Sequence, residues 1–526
     1  MRGGIAVPTL IWAFILCGSY LFAFYLLAQR QHRWKARECG CENASEESNS
    51  LPFGIDNLLR TLAADKKQQF PVDIQKRFAE VGSYTHWYSM LGTRNIRTAD
   101  PKNIQHILAN QFEDWDLGPT RLGSFFPLLG RGIFTADGAH WKRSRALIRP
   151  QFTRDQVSDL RLQETHVQNL LKVLEISIGA DGWINKIDML PFFFRITMDS
   201  ATEFIFGESV NSQLSILPGY QTNQIGGSET DFASAFDAAQ MGVAMRMRFL
   251  EFYWLSSSRE FRSTCRVVHE FVDHFVRLAL IKRTRKGDTG SKEGSQEKYT
   301  FIDALAAETQ DPLELRYELL HILLAGRDTT AAHLGWVFHS LARDPARFQK
   351  LRSIILEDFG TCDQPRGITY TRLKACRYLQ QINDETLRLY PVVPWNFRYA
   401  NKDTTLPRGG GKDGESPVFI PKGTTCDYSV YAMHRRKDLW GDDAEVFNPE
   451  RWETTRARWE YLPFNGGPRI CIGQQFALTE ASYVIVRLLQ RFDMIEALNK
   501  DETIRHNFGL NDSIGNGVNV RLHAAA

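Results

Sequence analysis

The sequence predicts one large, mainly α-helical domain with small β-sheets, preceded by a single membrane-spanning helix. Three observations predict it. Apolar residues recur at three-and-four spacing through Leu160–Leu174, Phe261–Ile281 and Leu313–Leu341, the periodicity of helices with one buried face. The β-like pieces are short: Tyr84–Met90, Asn95–Thr98 and Pro417–Ile420, the last ending in the turn residues Pro421–Lys422–Gly423. Pro8–Ala28 is an uncharged run of 21 residues, which as a helix spans about 30 Å, the thickness of a bilayer core.

Positive charges at Arg30, Arg33, Lys35 and Arg37 follow that run, and only Arg2 precedes it. Such a bias leaves the downstream body in the cytosol. A cleaved secretory signal has a shorter apolar part, about 7–15 residues, with a small-residue cleavage site. Residues 1–28 therefore read as a retained signal-anchor, and the Asn43–Ala44–Ser45 sequon stays unglycosylated on the cytosolic side. Residues 29–50 read as a polar tether whose acidic end, 38–50, is flexible. Residues 51–526 form the main domain, with no further apolar run and no internal repeat. Glu208–Asp231 and Lys286–Tyr299 are too polar to pack and read as surface loops.

Composition narrows the class. With 43% hydrophobic residues in 526, the chain can bury a large core. A net charge of +3, with no Lys/Arg-rich stretch interleaved with aromatics, argues against nucleic acid as a partner. The eight cysteines form no spaced framework, which points to free thiols in a reducing compartment. Cys39–Gly40–Cys41 lacks the second pair that a zinc site needs.

The sharpest motif is Phe464–Asn–Gly–Gly467–Pro–Arg469–Ile–Cys471–Ile–Gly473, followed by a helical pattern from Gln474 to Arg491. A thiolate that binds iron must stay deprotonated and shielded. A helix beginning just after it aims N–H groups and partial positive charge at the sulfur. The flanking glycines let backbone approach a flat cofactor closely. Phe464 can cover the sulfur, and Arg469 can reach a carboxylate on the cofactor rim. A buried free cysteine beside a helix cap is the plain alternative, but it would not demand all four residue types at these spacings.

Other segments are weaker alone. Glu385 and Arg388 share one helical face, as solvated surface pairs often do. Gly326, Thr329 and Thr330 are poor helix formers within Leu313–Leu341. They suggest that Ala325–Ala331 interrupts the helix, with a hydroxyl bonded one turn back leaving a polar notch.

The F-x-x-G-x-R-x-C-x-G loop resembles the haem-binding loop of the cytochromes P450, in which a cysteine thiolate holds haem iron. The resemblance runs from Leu51 nearly to the C-terminus and implies the cytochrome P450 fold. It implies haem b with Cys471 as axial ligand, and Phe464, Arg469 and Gly473 around it. Trp141 and Arg145 (WKRSR) match the family's W-x-x-x-R helix, and Arg398 after Pro391–Pro394 matches a strand arginine; both sites bind haem propionates. Asp328 and Thr329 match the motif that relays protons during oxygen activation. Glu385, Arg388 and Arg451, the last in Asn448–Pro–Glu–Arg451–Trp452, match a structural charge network behind the loop.

Within the family the chain is similar to the fungal enzymes that hydroxylate n-alkanes and fatty acids. Gly54–Ile–Asp56, Phe70–Pro71, Leu128–Thr135, Asp137–Gly138, AGRDTTA and Tyr431–Lys437 carry that likeness. The implied activity is a monooxygenase using O2 and NADPH-derived electrons on a lipophilic substrate. The first choice is a fatty acid or n-alkane oxidised at or near its terminal carbon. A tailoring hydroxylase of a polyketide or terpenoid pathway is the alternative, kept open by the polar Glu208–Asp231 segment and by Trp395. A non-catalytic haem protein is a distant third. Phe112–Leu129 and Phe232–Trp254 are the expected pocket-lining stretches. Implied partners are NADPH-cytochrome P450 reductase, with cytochrome b5 as a further donor, and Arg435, Arg436 and Lys437 are a candidate docking patch. The implied location is the endoplasmic reticulum membrane.

Overall fold

The computed structural model describes residues 6–153, 158–220, 229–288, 300–500 and 502–525. Within them the chain gathers into two compact units. The smaller comprises Met1–Asp56, Lys76–Asp116 and Phe397–Tyr428; the larger holds the remaining segments, Asn57–Gln75, Leu117–Asn396 and Ser429–Ala526.

In the smaller unit a helix runs from Ala6 to Glu38, ten residues past the expected end of the membrane segment at Ala28. Lys35 in its last turn pairs with Asp403 at 2.5 Å. Trp12, Ile15, Leu16, Tyr20, Phe24, Leu26 and Leu27 are exposed along it, so these side chains add nothing to the core. Several other side chains of Pro8–Ala28 lie outside the described residues. Among the described residues no helix is long and apolar enough to cross a membrane, so the expected span finds no support in the structure.

A six-stranded sheet dominates this unit, in the order Ser45–Glu46, Thr85–Met90, Thr93–Thr98, Thr425–Ser429, Trp395–Ala400 and Trp115–Asp116. The Thr85–Met90 and Thr93–Thr98 strands are antiparallel and joined by Leu91–Gly92, with φ of 52° and 80°. Positive φ at both turn residues matches the right-handed twist of the flanking strands. The end of the 38–50 segment, expected to be flexible, is ordered. Ser45 and Glu46 pair in parallel with His86 and Trp87, and the buried Glu47 carboxylate meets Arg77 at 3.3 Å and Arg97 at 3.6 Å. Arg97 also lies 3.6 Å from Asp427 and over the ring of Tyr88, whose hydroxyl donates to Asp427 at 2.6 Å. Two buried guanidinia need an anion, and that need outweighs the loop-like polarity of the segment.

The larger unit is helical. Its helices include Pro119–Leu129, Gly138–Ile148, Arg161–Glu175, Leu190–Phe206, Glu229–Arg248, Arg259–Asp288, Pro312–Arg343, Arg377–Leu389 and Gln474–Arg491. Small antiparallel sheets complete it: Phe492–Ala497, Asn519–Ala524 and Trp183–Asp188 in one, His506–Phe508 with Asp512–Ile514 in another. Pro312–Arg343, the long helix, starts where the Asp311 side chain accepts the Leu313 N–H at 2.9 Å and Pro312 presets the first turn. It is enclosed on nearly all sides from Glu318 to Ala342. Leu334, Trp336, Val337 and Leu341 pack there with Leu170, Phe193, Leu379 and Ile485 in the main core. The expected interruption at Ala325–Ala331 does not occur. The Thr329 hydroxyl donates to the Ala325 carbonyl at 2.7 Å, adding to the backbone ladder instead of replacing a rung. Of the two expected surface loops, 221–228 and 289–299 lie outside the described residues, and the second begins inside the Arg259–Asp288 helix.

Replacing Glu47 by Ala leaves Arg77 and Arg97 buried without their shared anion. A loss of about 3–5 kcal/mol is expected, read as a lowered denaturant midpoint, with a smaller loss for Glu47→Gln.

Candidate active site

The cysteine loop belongs to the larger unit. It turns at Asn465 and Gly467, with φ of 62° and 66°, values that asparagine and glycine tolerate best. The Cys471 N–H donates to the Phe464 carbonyl at 3.0 Å and closes the loop. Gly473 stands at the start of the Gln474–Arg491 helix, and its N–H bonds the Cys471 sulfur. Burial raises the Cys471 thiol above its ordinary range, while that N–H and the Arg145 guanidinium act the other way. The residue is nonetheless accessible. A side chain both deep and accessible stands at the wall of a cavity, where a cation bound to sulfur would convert the thiol to thiolate.

The long helix, in the same unit, leaves part of one face incompletely covered. Between Glu318 and Ala342 only Ala325, Gly326 and Thr329 are not buried, and their spacing puts them on one face. Ala332, three residues beyond Thr329, belongs to a small apolar cluster against which Phe464 of the cysteine loop packs. Asp328 points elsewhere. It is buried, accepts from Arg327 at 3.1 Å, and burial pushes its carboxyl up to about 6.

The arginines give a test of whether this chain suits haem. Trp141, buried on the Gly138–Ile148 helix, carries the Arg469 guanidinium 4.4 Å from its ring centroid and that of Arg145 at 5.9 Å. Arg145 donates to the Ile470 carbonyl at 3.1 Å; Arg469 donates to the Ala136 carbonyl at 3.1 Å and to Asp137 at 2.7 Å. Arg149 adds positive charge beside Arg145. This excess of guanidinium over carboxylate suits a cofactor rim bearing two carboxylates. A Cβ on Gly473 would meet only Phe152, at an ordinary 3.6 Å, so protein packing alone does not require glycine there. The donor set fits. Arg398 lies in the smaller unit, buried on the Trp395–Ala400 strand, donating to the Phe397 carbonyl at 2.7 Å and stacked over Tyr428.

Behind the loop, Glu385 and Arg388 form a two-pronged pair at 2.8 and 2.9 Å with no exposed surface. The Glu385 carboxylate also accepts from Arg451 at 3.1 Å, the Trp452 indole at 3.1 Å and the Asn448 N–H at 2.9 Å. The candidate docking patch needs correction. Arg435 and Arg436 are buried, one paired with Glu445 at 3.0 Å and lying over Tyr431, the other paired with Asp438 at 2.6 Å. Only Lys437 of the three is exposed.

Comparison with known proteins agrees with this geometry. Residues 51–514 match the family described as Cytochrome P450. The chain is a cytochrome P450. It is 63% identical over 516 residues to Cytochrome P450 monooxygenase g430 of Fusarium sp, covering 98% of this chain and 90% of that one. It is 43% identical to Cytochrome P450 monooxygenase alt2 of Alternaria solani, over 96% of both. It is 46% identical to Cytochrome P450 52A12 of Debaryomyces hansenii, over 87% of both. The protein is thus a monooxygenase of the haem b class with a cysteine thiolate as axial ligand, as its fungal resemblance implied.

Sequence reasoning missed three groups. His434 accepts the Leu462 N–H at 2.9 Å and donates to the Arg388 carbonyl at 3.0 Å, and burial lowers its pKa to about 3. Glu480 bonds Thr330 and Ser200, with its carboxyl raised by burial to about 7; as the one acid in Gln474–Arg491 it was detectable. Asp237 pairs with Arg327, and nothing in its local sequence marks it.

Glu385→Ala removes the acceptor shared by Arg388, Arg451, Trp452 and Asn448. Stability should fall by about 3–5 kcal/mol, read in thermal denaturation of the holoprotein, with haem lost below the unfolding temperature of the wild type.

Proposed function

We propose that this cytochrome P450 hydroxylates a fatty acid or n-alkane at or near its terminal carbon, held to the endoplasmic reticulum membrane by residues 8–28 with its main domain, 51–526, in the cytosol. The observation that carries the catalytic reading is Cys471, deep yet accessible, with the Gly473 N–H and the Arg145 charge directed at its sulfur. In this reading Cys471 is the iron ligand, and Trp141, Arg145, Arg398, Phe464, Arg469 and Gly473 hold the haem. Haem bound there supplies oxygen activation, driven by electrons from NADPH through a reductase, with cytochrome b5 as a further donor.

The chain's own residues do the rest. Asp328 and Thr329 carry protons, with the Thr329 hydroxyl held by the Ala325 carbonyl. Glu385, Arg388 and Arg451 keep the cysteine loop in place. The incompletely covered face of the long helix offers Ala325 and Gly326, small and apolar, and suits a lipophilic chain. The exposed apolar residues of the Ala6–Glu38 helix and the basic residues after Ala28 support the membrane anchor.

A second reading has an observation in its favour. The chain is 63% identical to the Fusarium monooxygenase but 44–46% identical to the Cytochrome P450 52A12 and 52A3-A proteins. With its higher identity to a protein outside the 52A group, the chain keeps a tailoring hydroxylase of a polyketide or terpenoid pathway as the second reading, because similarity of fold does not carry the substrate pocket with it.

The first test is a reduced carbon monoxide difference spectrum on membranes, followed by titration with a panel of medium- and long-chain fatty acids. A strongly red-shifted Soret band with a spin-state change on fatty-acid addition is expected. That band without a fatty-acid response would move the assignment to the tailoring reading. Cys471→Ala should abolish the red-shifted band, and a normal ferrous–CO spectrum in that variant would end the ligand assignment. Thr329→Ala should retain haem yet divert electrons to hydrogen peroxide; unchanged coupling would remove Thr329 from the relay.

A further inference from the structure

Arg327 sits in the middle of the long helix, buried and shared between two carboxylates. Its guanidinium grips Asp237 of the Glu229–Arg248 helix with both terminal nitrogens, Nη2 to Oδ2 at 3.2 Å. The same Nη1 donates to Asp328 at 3.1 Å. Gln240, three residues beyond Asp237, also bonds Asp328. The rings of Phe194 and Phe236 flank the guanidinium at 5.3 and 5.9 Å. The two acids differ sharply in setting: the Asp237 side chain is 56% exposed, that of Asp328 only 9%.

One cation divided between two anions cannot serve both fully. A carboxylate locked in a buried ion pair is held charged and still, and is poor at passing a proton. Anything that draws the shared guanidinium outward loosens its hold on the inner acid. We propose that Asp237 is a positioning residue for the oxidation reaction: by drawing Arg327 outward it leaves the Asp328 carboxyl free to exchange its proton, and so links proton delivery to the placement of the Glu229–Arg248 helix. The proposal rests on the relay role of Asp328.

The surroundings isolate these groups. On the Leu190–Phe206 helix, Phe194 faces the guanidinium. Asp199 of that helix accepts the N–H groups of Ser212 and Gln213, and Glu203 pairs with His166. Glu480 is directed at Thr330 and Ser200. Among the described residues, the charges acting most on Asp328 are thus Arg327 and Asp237. Burial raises the Asp328 carboxyl to about 6, Arg327 opposes that rise, and Asp237 reinforces it. Asp237→Asn removes a charge that raises the pKa and releases Arg327 onto Asp328. Both changes move the titration of Asp328 to lower pH.

The experiment uses the full-length holoenzyme with its reductase in membranes. The infrared carboxyl band of Asp328, assigned by its loss in Asp328→Asn, is titrated against pH in wild type, Asp237→Asn and Asp237→Glu. Peroxide formed per NADPH and the substrate dissociation constant from spin-state titration are measured alongside. Asp237→Asn should shift the band midpoint to lower pH by about one unit, a tenfold change in proton affinity. It should also raise the peroxide fraction several-fold with substrate affinity unchanged, and Asp237→Glu should restore both. An unmoved midpoint, or substrate affinity and coupling falling together, would overturn the proposal. If Asp328→Asn itself leaves coupling intact, the relay reading fails and takes this proposal with it. If Asp328→Asn uncouples and Asp237→Asn does not, only the role of Asp237 fails.

Discussion

A single buried carboxylate supports the cysteine loop. Glu385 has no exposed surface and accepts hydrogen bonds from two arginines, an indole and a backbone N–H. Its partner Arg388 uses its remaining N–H groups on the carbonyls of His434, Ala444 and Val446. His434 in turn accepts the Leu462 N–H, two residues before Phe464. The stretch from Asn448 to the cysteine has little regular structure, so its backbone groups need partners from side chains. A charge buried at this depth is tolerable only when its lone pairs are filled. That condition couples the helix, the Asn448–Trp452 turn and the loop into one assembly.

The long helix meets a different constraint. Enclosed on nearly every side, it must place unlike chemistry on opposite faces of one cylinder. A turn of about 100° per residue does this. Ala325, Gly326 and Thr329 share the incompletely covered face, while Arg327 and Asp328 turn toward the Glu229–Arg248 helix and its Asp237. The Thr329 hydroxyl is satisfied within its own helix, so the polar notch costs no break in the backbone.

The N-terminal region shows why local polarity misleads. Residues 38–50 look like solvent-seeking linker, yet Glu47 is buried because Arg77 and Arg97 lie there waiting for an anion. The same error, in reverse, made a docking patch of Arg435 and Arg436. Basic residues in a row read as surface, but each has an acid nearby and an aromatic or packed environment to enter. In both cases the partners lie on other segments, and no local pattern announces them.

What the sequence determined by itself was chemistry tied to short-range spacing. The helices from Arg161, Arg259, Pro312 and Gln474, the sheet strands near Thr85 and Thr93, and the cysteine loop with its capping glycine were legible because periodicity and motif are properties of neighbouring residues. The tertiary structure alone decided which charges are shared. Asp237 meets Arg327 across 90 positions of chain, Arg145 meets the Ile470 carbonyl across 325, and Glu480 reaches Thr330 from another helix. Those pairings set proton affinities, and they arise from burial and distance, which exist only once the chain has folded.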